Sequence, residues 1–254
     1  MSASGKILVT PRSVTRDGHP SLVRLAAAGH EVVLGPRGKQ PTEEELRHLF
    51  PGCTGYLAGG EPVTRRALEA ATSLRAISRN GTGVNNIDLA AAQERGITVL
   101  RAEGANARGV AELAVGLLFA LARGLPASDS KMKAGAWERG CGIELEGRTL
   151  GLGGCGRVGK LVAGMALGLG LKVVAYDAFP DRAFAPDAGF RFAAWDEVLG
   201  AADFLSLHCP PTADSRPLLD AAAFNRMKRG AFLVNTARHE VVDAHALLAA
   251  LESG

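Results

Sequence analysis

The sequence predicts an α/β fold in which a parallel sheet carries helices on both faces. Three observations predict it. Short β-capable runs alternate with helical patterns along the whole chain. One strand-to-helix turn, in Thr149–Asp177 (TLGLGGCGRVGKLVAGMALGLGLKVVAYD), has glycines spaced G-x-G-x-x-G, with a second strand and an acidic residue after the helix. Finally, 254 residues that are 47% hydrophobic and 22% charged suffice for a sizeable core in one large or about two ordinary domains.

In order, Lys6–Thr10 reads as a strand, Ser21–Ala28 as a helix stopped by Gly29, and Glu31–Leu34 as the next strand. Thr42 and Glu45 form a capping-box pattern for a helix ending near Phe50. Gly55–Ala58 and Leu74–Ser78 are strands flanking a Thr64–Ala71 helix, and a Leu89–Arg95 helix and a Thr98–Leu100 strand follow. Ala107–Ala122 is apolar nearly all round, which predicts a buried helix at a domain or subunit junction, or a plain core helix. Residues 124–147 are polar and glycine-rich and read as an arm or loop. Beyond Asp177 comes a loop, AFPDRAFAPDAG, then strands at Asp203–Leu207 and Ala231–Asn235 separated by an Ala221–Met227 helix. The helix Ala244–Leu251, capped by Asp243, closes the chain.

The glycine turn carries the first functional expectation. Gly154 permits the tight turn, Gly156 lets backbone approach a pyrophosphate, and Gly159 lets the helix pack closely on the strand. Free N–H groups at the helix start face the anion. Asp177 lies 18 residues beyond Gly159, where an acid accepts hydrogen bonds from an adenosine ribose, and its charge repels a 2′-phosphate, which favours NAD over NADP. The bland alternatives are a helix merely packing on a sheet and a solvated strand-end carboxylate.

Two further stretches add detail. In RNGTGVNNID, Arg79–Asp88, Gly81 and Gly83 allow backbone N–H groups to converge into a nest that can hold a carboxylate, although a plain glycine-rich turn has the same spacing. Arg238 ends Asn235-Thr236-Ala237-Arg238 at a strand terminus. Ligands lie off the carboxyl ends of strands in such sheets, so a planar, permanently charged guanidinium there can grip a 2-oxo acid. Taken alone, it also reads as a surface salt-bridge residue.

The formal net charge of +3 is scattered, with no basic patch for nucleic acid or an anionic membrane. Cys53, Cys141, Cys155 and Cys209 form no C-x-x-C pair, so neither a zinc site nor a disulfide framework is expected and a reducing compartment fits. The N-terminus lacks a signal-peptide apolar region, and a cytoplasmic protein is expected.

Taken in order, RNGTGVNNID, NARGVAEL, TLGLGGCGRVG, SLHCPPT and NTARHEVVD resemble the signatures of the D-isomer specific 2-hydroxyacid dehydrogenases, particularly the phosphoglycerate dehydrogenase-like branch. The resemblance spans nearly the whole chain. It implies two Rossmann-like doubly wound domains, here a substrate-binding domain at 1–101 and an NAD-binding domain at 102–254, and a homodimer formed through the latter. It further implies that the backbone around Asn80, Gly81, Thr82 and Gly83 holds the substrate carboxylate, with Thr82 also near the cofactor. Arg157 and Val158 would line the pyrophosphate, Cys209 and Pro210 the adenine side, and Thr236 and Ala237 would approach the nicotinamide. Arg238 would be the substrate-orienting catalytic arginine at the cofactor's edge.

There is one departure. The family's general acid/base is a His in a P-H-[IV]-G motif assisted by a Glu from a preceding strand, and neither occurs in these 254 residues. The expectation is a piece of a longer enzyme, its second domain lacking the final strand and C-terminal segment and Ala231–Asn235 left as an apolar sheet edge. General acid–base catalysis contributes roughly 10²- to 10⁴-fold, so turnover should suffer accordingly. His208, His239 and His245 are poor substitutes by position. The expected activity is NAD-dependent hydride transfer at C2 of a small 2-hydroxy or 2-oxo acid, of phosphoglycerate or hydroxypyruvate type. The alternative is a catalytically impaired NAD-binding regulatory or partner-binding protein of the same fold.

Overall fold

The computed structural model describes residues 5–211 and 216–254, so Thr212, the last residue of SLHCPPT, lies outside them. The chain forms two compact units, Met1–Asn106 and Ala107–Gly254.

The first unit contains β1 (Lys6–Val9), α1 (Arg12–Asp17), α2 (Pro20–Ala27), β2 (Glu31–Leu34), α3 (Glu43–Leu49), β3 (Cys53–Ala58), α4 (Arg65–Glu69), β4 (Ala76–Arg79), α5 (Leu89–Glu94) and β5 (Thr98–Arg101). All five strands are parallel, in the order β2-β1-β3-β4-β5. Sequence capping sets the helix starts. The Thr42 hydroxyl accepts the Glu45 N–H at 3.2 Å while Glu45 accepts the Thr42 N–H at 2.7 Å, and Thr64 and Asp88 cap α4 and α5 in the same sense. Leu8, Leu46, Phe50, Tyr56, Leu68 and Ile77 are wholly or almost wholly buried between the sheet and its helices.

The division between units falls five residues beyond the expected 101/102 boundary. Residues 102–106 stay with the first unit because Ala102 N–H donates to Gly81 O at 3.1 Å, and Thr82 Oγ1 contacts Ala102 O at 3.2 Å and Asn106 Oδ1 at 3.3 Å.

The second unit contains α6 (Ala107–Ala122), α7 (Leu125–Lys133), β6 (Thr149–Gly153), α8 (Arg157–Gly168), β7 (Lys172–Tyr176), β8 (Phe190–Phe192), α9 (Trp195–Ala201), β9 (Phe204–Leu207), α10 (Ala221–Arg226), β10 (Phe232–Asn235) and α11 (Ala244–Ser253). Its parallel strands run β10-β9-β6-β7-β8, so the order reverses between β6 and β9. α6 and α8 fill one face around Leu118, Leu150, Leu152 and Val162, and α9 and α10 fill the other around Val198, Leu205 and Leu219. Among the described residues β10 is a sheet edge, as expected, with Phe232 stacked on Phe204 at 5.0 Å between ring centroids.

Five elements differ in bounds or burial from the sequence reading. Residues 124–147 are not all loop: α7 occupies Leu125–Lys133, opened by Pro126 in its first turn and weakly patterned because none of its residues is buried. α1, β8 and α9 were not foreseen: α1 is polar, β8 has three residues, and α9 starts from Ala194 without a side-chain cap. α6 has the expected bounds, but only the stripe Ala107, Ala111, Ala114, Leu118 and Ala122 is buried, and Leu113, Leu117, Phe119 and Leu121 remain exposed on this chain. Small residues let α8 approach closely on one side and leave the large ones on the other.

Candidate functional site

The turn between β6 and α8 follows its glycine pattern position by position. Gly154 has φ +100°, and a Cβ there would sit 2.7 Å from Cys209 N, so both conformation and crowding require glycine. A Cβ on Gly159 would lie 2.3 Å from Gly154 O, the close helix-on-strand approach expected of the third glycine. Gly156 is different. It caps α8 with no side-chain acceptor and nothing lies within 4 Å of where its Cβ would be, so the N-terminus of α8 opens onto free space that an anion can enter.

Asp177 closes this corner from the end of β7. Its Oδ2 accepts the Cys155 N–H at 2.7 Å and its Oδ1 the Phe179 N–H at 2.9 Å. Burial and the Asp177 charge push the Cys155 thiol up to about 11, which keeps it an inert neutral group under the turn. Burial, followed by Asp177, also raises Cys209.

These residues line one cleft of about 390 Å³ where the strand order reverses, with Gly154, Gly156 and Asp177 on one side and Cys209, Pro210 and Pro211 on the other. Phe179 and Arg216 line it as well, and sequence spacing did not single them out because they sit in loops without periodicity. A larger hollow of about 790 Å³ lies in the first unit, where Ile7, Leu22 and Tyr56 share its walls with His19, Ser78 and Asn80; of the Asn80–Gly83 turn only Asn80 lines it. The 390 Å³ cleft suits the adenosine and pyrophosphate portion of a dinucleotide, with an open helix start for the pyrophosphate, a strand-end carboxylate for a ribose and a proline wall for a base, while Arg157, Val158, Thr236, Ala237 and Arg238 do not line it.

His208 forms part of the cleft wall. Its Nε2 is 2.9 Å from Ser206 Oγ and its Nδ1 is 3.3 Å from Thr236 Oγ1, and burial pushes it down to about 4. It is therefore neutral near pH 7, and through Thr236 it ties the end of β10 to the cleft. Ala237 N–H donates to Asn235 Oδ1 at 2.9 Å, Asn235 Nδ2 donates to Arg238 O at 2.8 Å, and the exposed Arg238 guanidinium donates to Ala237 O at 2.9 Å. Among the described residues no carboxylate pairs with Arg238. Arg157 and Val158 open α8, with Val158 packed against the core. His239 is exposed and pairs with Glu240 at 3.1 Å.

In the first unit, Asn80–Gly83 follow β4. Gly81 takes φ +148° and its N–H turns back to Arg79 O at 2.9 Å, while the Thr82 and Gly83 amides have no backbone acceptor among the described residues. That leaves donors for a carboxylate. Arg79, the last residue of β4, adds a cation that the sequence reading passed over: it donates to Asn80 O and, at 3.4 Å, to Asn86 Oδ1. Its place directly before the glycine turn was the available signal.

The model of the D-isomer specific 2-hydroxyacid dehydrogenase family, NAD binding domain, matches residues 115–254. D-3-phosphoglycerate dehydrogenase of Archaeoglobus fulgidus is 40% identical over 216 residues, covering 84% of this chain and 41% of that protein. Among solved structures, the apo-structure of D-lactate dehydrogenase from Escherichia coli superposes with a TM-score of 0.85 at 28% identity, covering 98% of this chain and 78% of that one. NAD-bound 3-phosphoglycerate dehydrogenase of Entamoeba histolytica gives 0.79 at 28% identity, covering 99% and 78%. The chain thus spans about two fifths or less of the length of the curated relatives it matches. With the family model matching 115–254, more than half of its length, the chain belongs to the D-isomer specific 2-hydroxyacid dehydrogenase family and carries its NAD-binding domain.

Proposed function

We propose that this protein is an NAD-dependent dehydrogenase of a small 2-hydroxy or 2-oxo acid, of the phosphoglycerate or hydroxypyruvate type. The observation that carries the reading is the cleft at the β6/β9 reversal, whose glycine turn, Asp177 and proline wall suit NAD. When bound, NAD supplies the two-electron exchange with C2 of the acid. The α8 N-terminus, with Arg157 and Val158, holds the pyrophosphate, Asp177 the adenosine ribose, and Cys209 and Pro210 the adenine side. Thr236 and Ala237 border the nicotinamide.

The substrate is held by charge. In the first unit the Asn80–Gly83 amides suit a carboxylate, and in the second unit Arg238 presents the paired donors that suit a 2-oxo acid. His208, half-buried and neutral, shapes the cleft. The exposed large residues of α6, Leu113, Leu117, Phe119 and Leu121, suit the homodimer contact expected of the NAD-binding unit. Calorimetry with NADH, followed by titration of hydroxypyruvate into the loaded protein and a spectrophotometric assay of NADH oxidation, tests the reading. Binding of both with turnover supports it. NADH binding without any 2-oxo acid binding or turnover favours an NAD-binding regulatory role, and no NADH binding overturns both.

A further inference from the structure

The parallel strands β9 and β10 end side by side, with Leu207 paired to Asn235, so His208 and Thr236 leave the sheet together at its carboxyl edge. Ligands lie off such an edge. The His208 ring joins this edge to the core: its Nε2 lies 2.9 Å from Oγ of Ser206, two positions back on β9, and its Nδ1 lies 3.3 Å from Thr236 Oγ1. One chain of hydrogen bonds thus runs from a wholly buried hydroxyl, through a half-buried ring, to a half-buried hydroxyl at the strand ends. Ser206 does not line the cleft, and nothing in the proposed reaction uses it.

Burial decides which way the protons point along this chain. Because burial disfavours its charged form, the ring is neutral near pH 7 and has one N–H and one bare nitrogen, so it donates to one hydroxyl and accepts from the other. Ser206 selects between them. Among the described residues the ring is the only partner of its hydroxyl. With the proton on Nε2, Ser206 would accept it and its own buried O–H would have no acceptor, which is costly. With Nε2 bare, the Ser206 O–H donates to it and no donor is orphaned. The ring proton then sits on Nδ1 and goes to Thr236 Oγ1. Thr236 has no other partner among the described residues, so its own hydroxyl proton is left free.

We propose that Ser206, acting through the His208 tautomer, fixes Thr236 as a hydrogen-bond donor to an oxygen in the nicotinamide half of NAD. Thr236 touches the cofactor, and Ser206 and His208 are positioning residues. A hydroxyl whose oxygen is already engaged by the ring N–H can only donate to a ligand, so less ordering remains to be done when the cofactor binds. The inference rests on the reading of the cleft as an NAD site with Thr236 at its nicotinamide end.

Long-range proton–nitrogen correlation NMR on the isotope-labelled whole chain reads the His208 tautomer, and calorimetric titration with NADH and with ADP, which lacks the nicotinamide riboside, reads the donor. The Nδ1–H form is expected in the unaltered protein, and Ser206→Ala, which removes the selecting donor, should bring in the Nε2–H form. Thr236→Val should lower NADH affinity about fivefold or more while moving ADP affinity less than about twofold, and Thr236→Ser should restore most of the loss. The Nε2–H form in the unaltered protein overturns the inference and leaves the NAD reading intact. Unchanged NADH affinity in Thr236→Val, or an equal loss for NADH and ADP, overturns the role of Thr236. If the unaltered protein binds no NADH, the NAD reading falls and the inference with it. Should Ser206→Ala fail to fold, the tautomer of the unaltered protein and the Thr236 variants decide.

Discussion

Asp177 Oδ2 accepts the backbone N–H of Cys155 at 2.7 Å, so the carboxylate suited to a ribose also pins the glycine turn that receives the pyrophosphate. Asp177→Asn turns an amide group toward one of two N–H donors and removes the charge. NADH affinity should fall about tenfold, equivalent to ~1.4 kcal/mol, while the preference for NADH over NADPH narrows, as fluorescence titration with each would read. Unchanged affinity for both would remove Asp177 from the site.

Two glycines of α8 should respond in opposite directions. Gly159→Ala forces a methyl to within 2.3 Å of Gly154 O and should cost about 1–3 kcal/mol together with NADH binding. Gly164 is an exposed interior position of the same helix with open space around it, so Gly164→Ala should add about 0.5–1 kcal/mol. Urea unfolding of both variants checks the contrast.

His208 makes stability depend on acid. Its folded value, about 4, lies below its ordinary 6.5, so the unfolded chain binds the extra proton between those pH values. The stabilisation is complete above pH 6.5 and is lost as pH falls toward 4, by at most ~3 kcal/mol. His208→Gln should flatten the denaturation midpoint across that window. A midpoint that falls equally in both proteins would contradict the assignment.

Arg238 is held by its own turn, and no carboxylate among the described residues neutralises it. Arg238→Ala should weaken binding of a 2-oxo acid to the NADH-loaded protein by about tenfold or more, and Arg238→Lys should recover little, because a point charge cannot reproduce the paired donors. Calorimetry on the two variants separates charge from geometry.

Sequence alone determined the alternation of strands and helices, the capping of α3 by Thr42 and Glu45, the bounds of α6 and the nucleotide turn, because each is written in neighbouring residues through periodicity, caps or glycine spacing. It did not determine which face of α6 is covered, that α7 is a helix, or that His208 is neutral, since these depend on what packs against each residue. The buried contact of Thr10 with Glu61 was equally illegible. The pairing of β1 with β3 brings Thr10 and Glu61 together across 51 positions of chain, and no local pattern encodes that encounter.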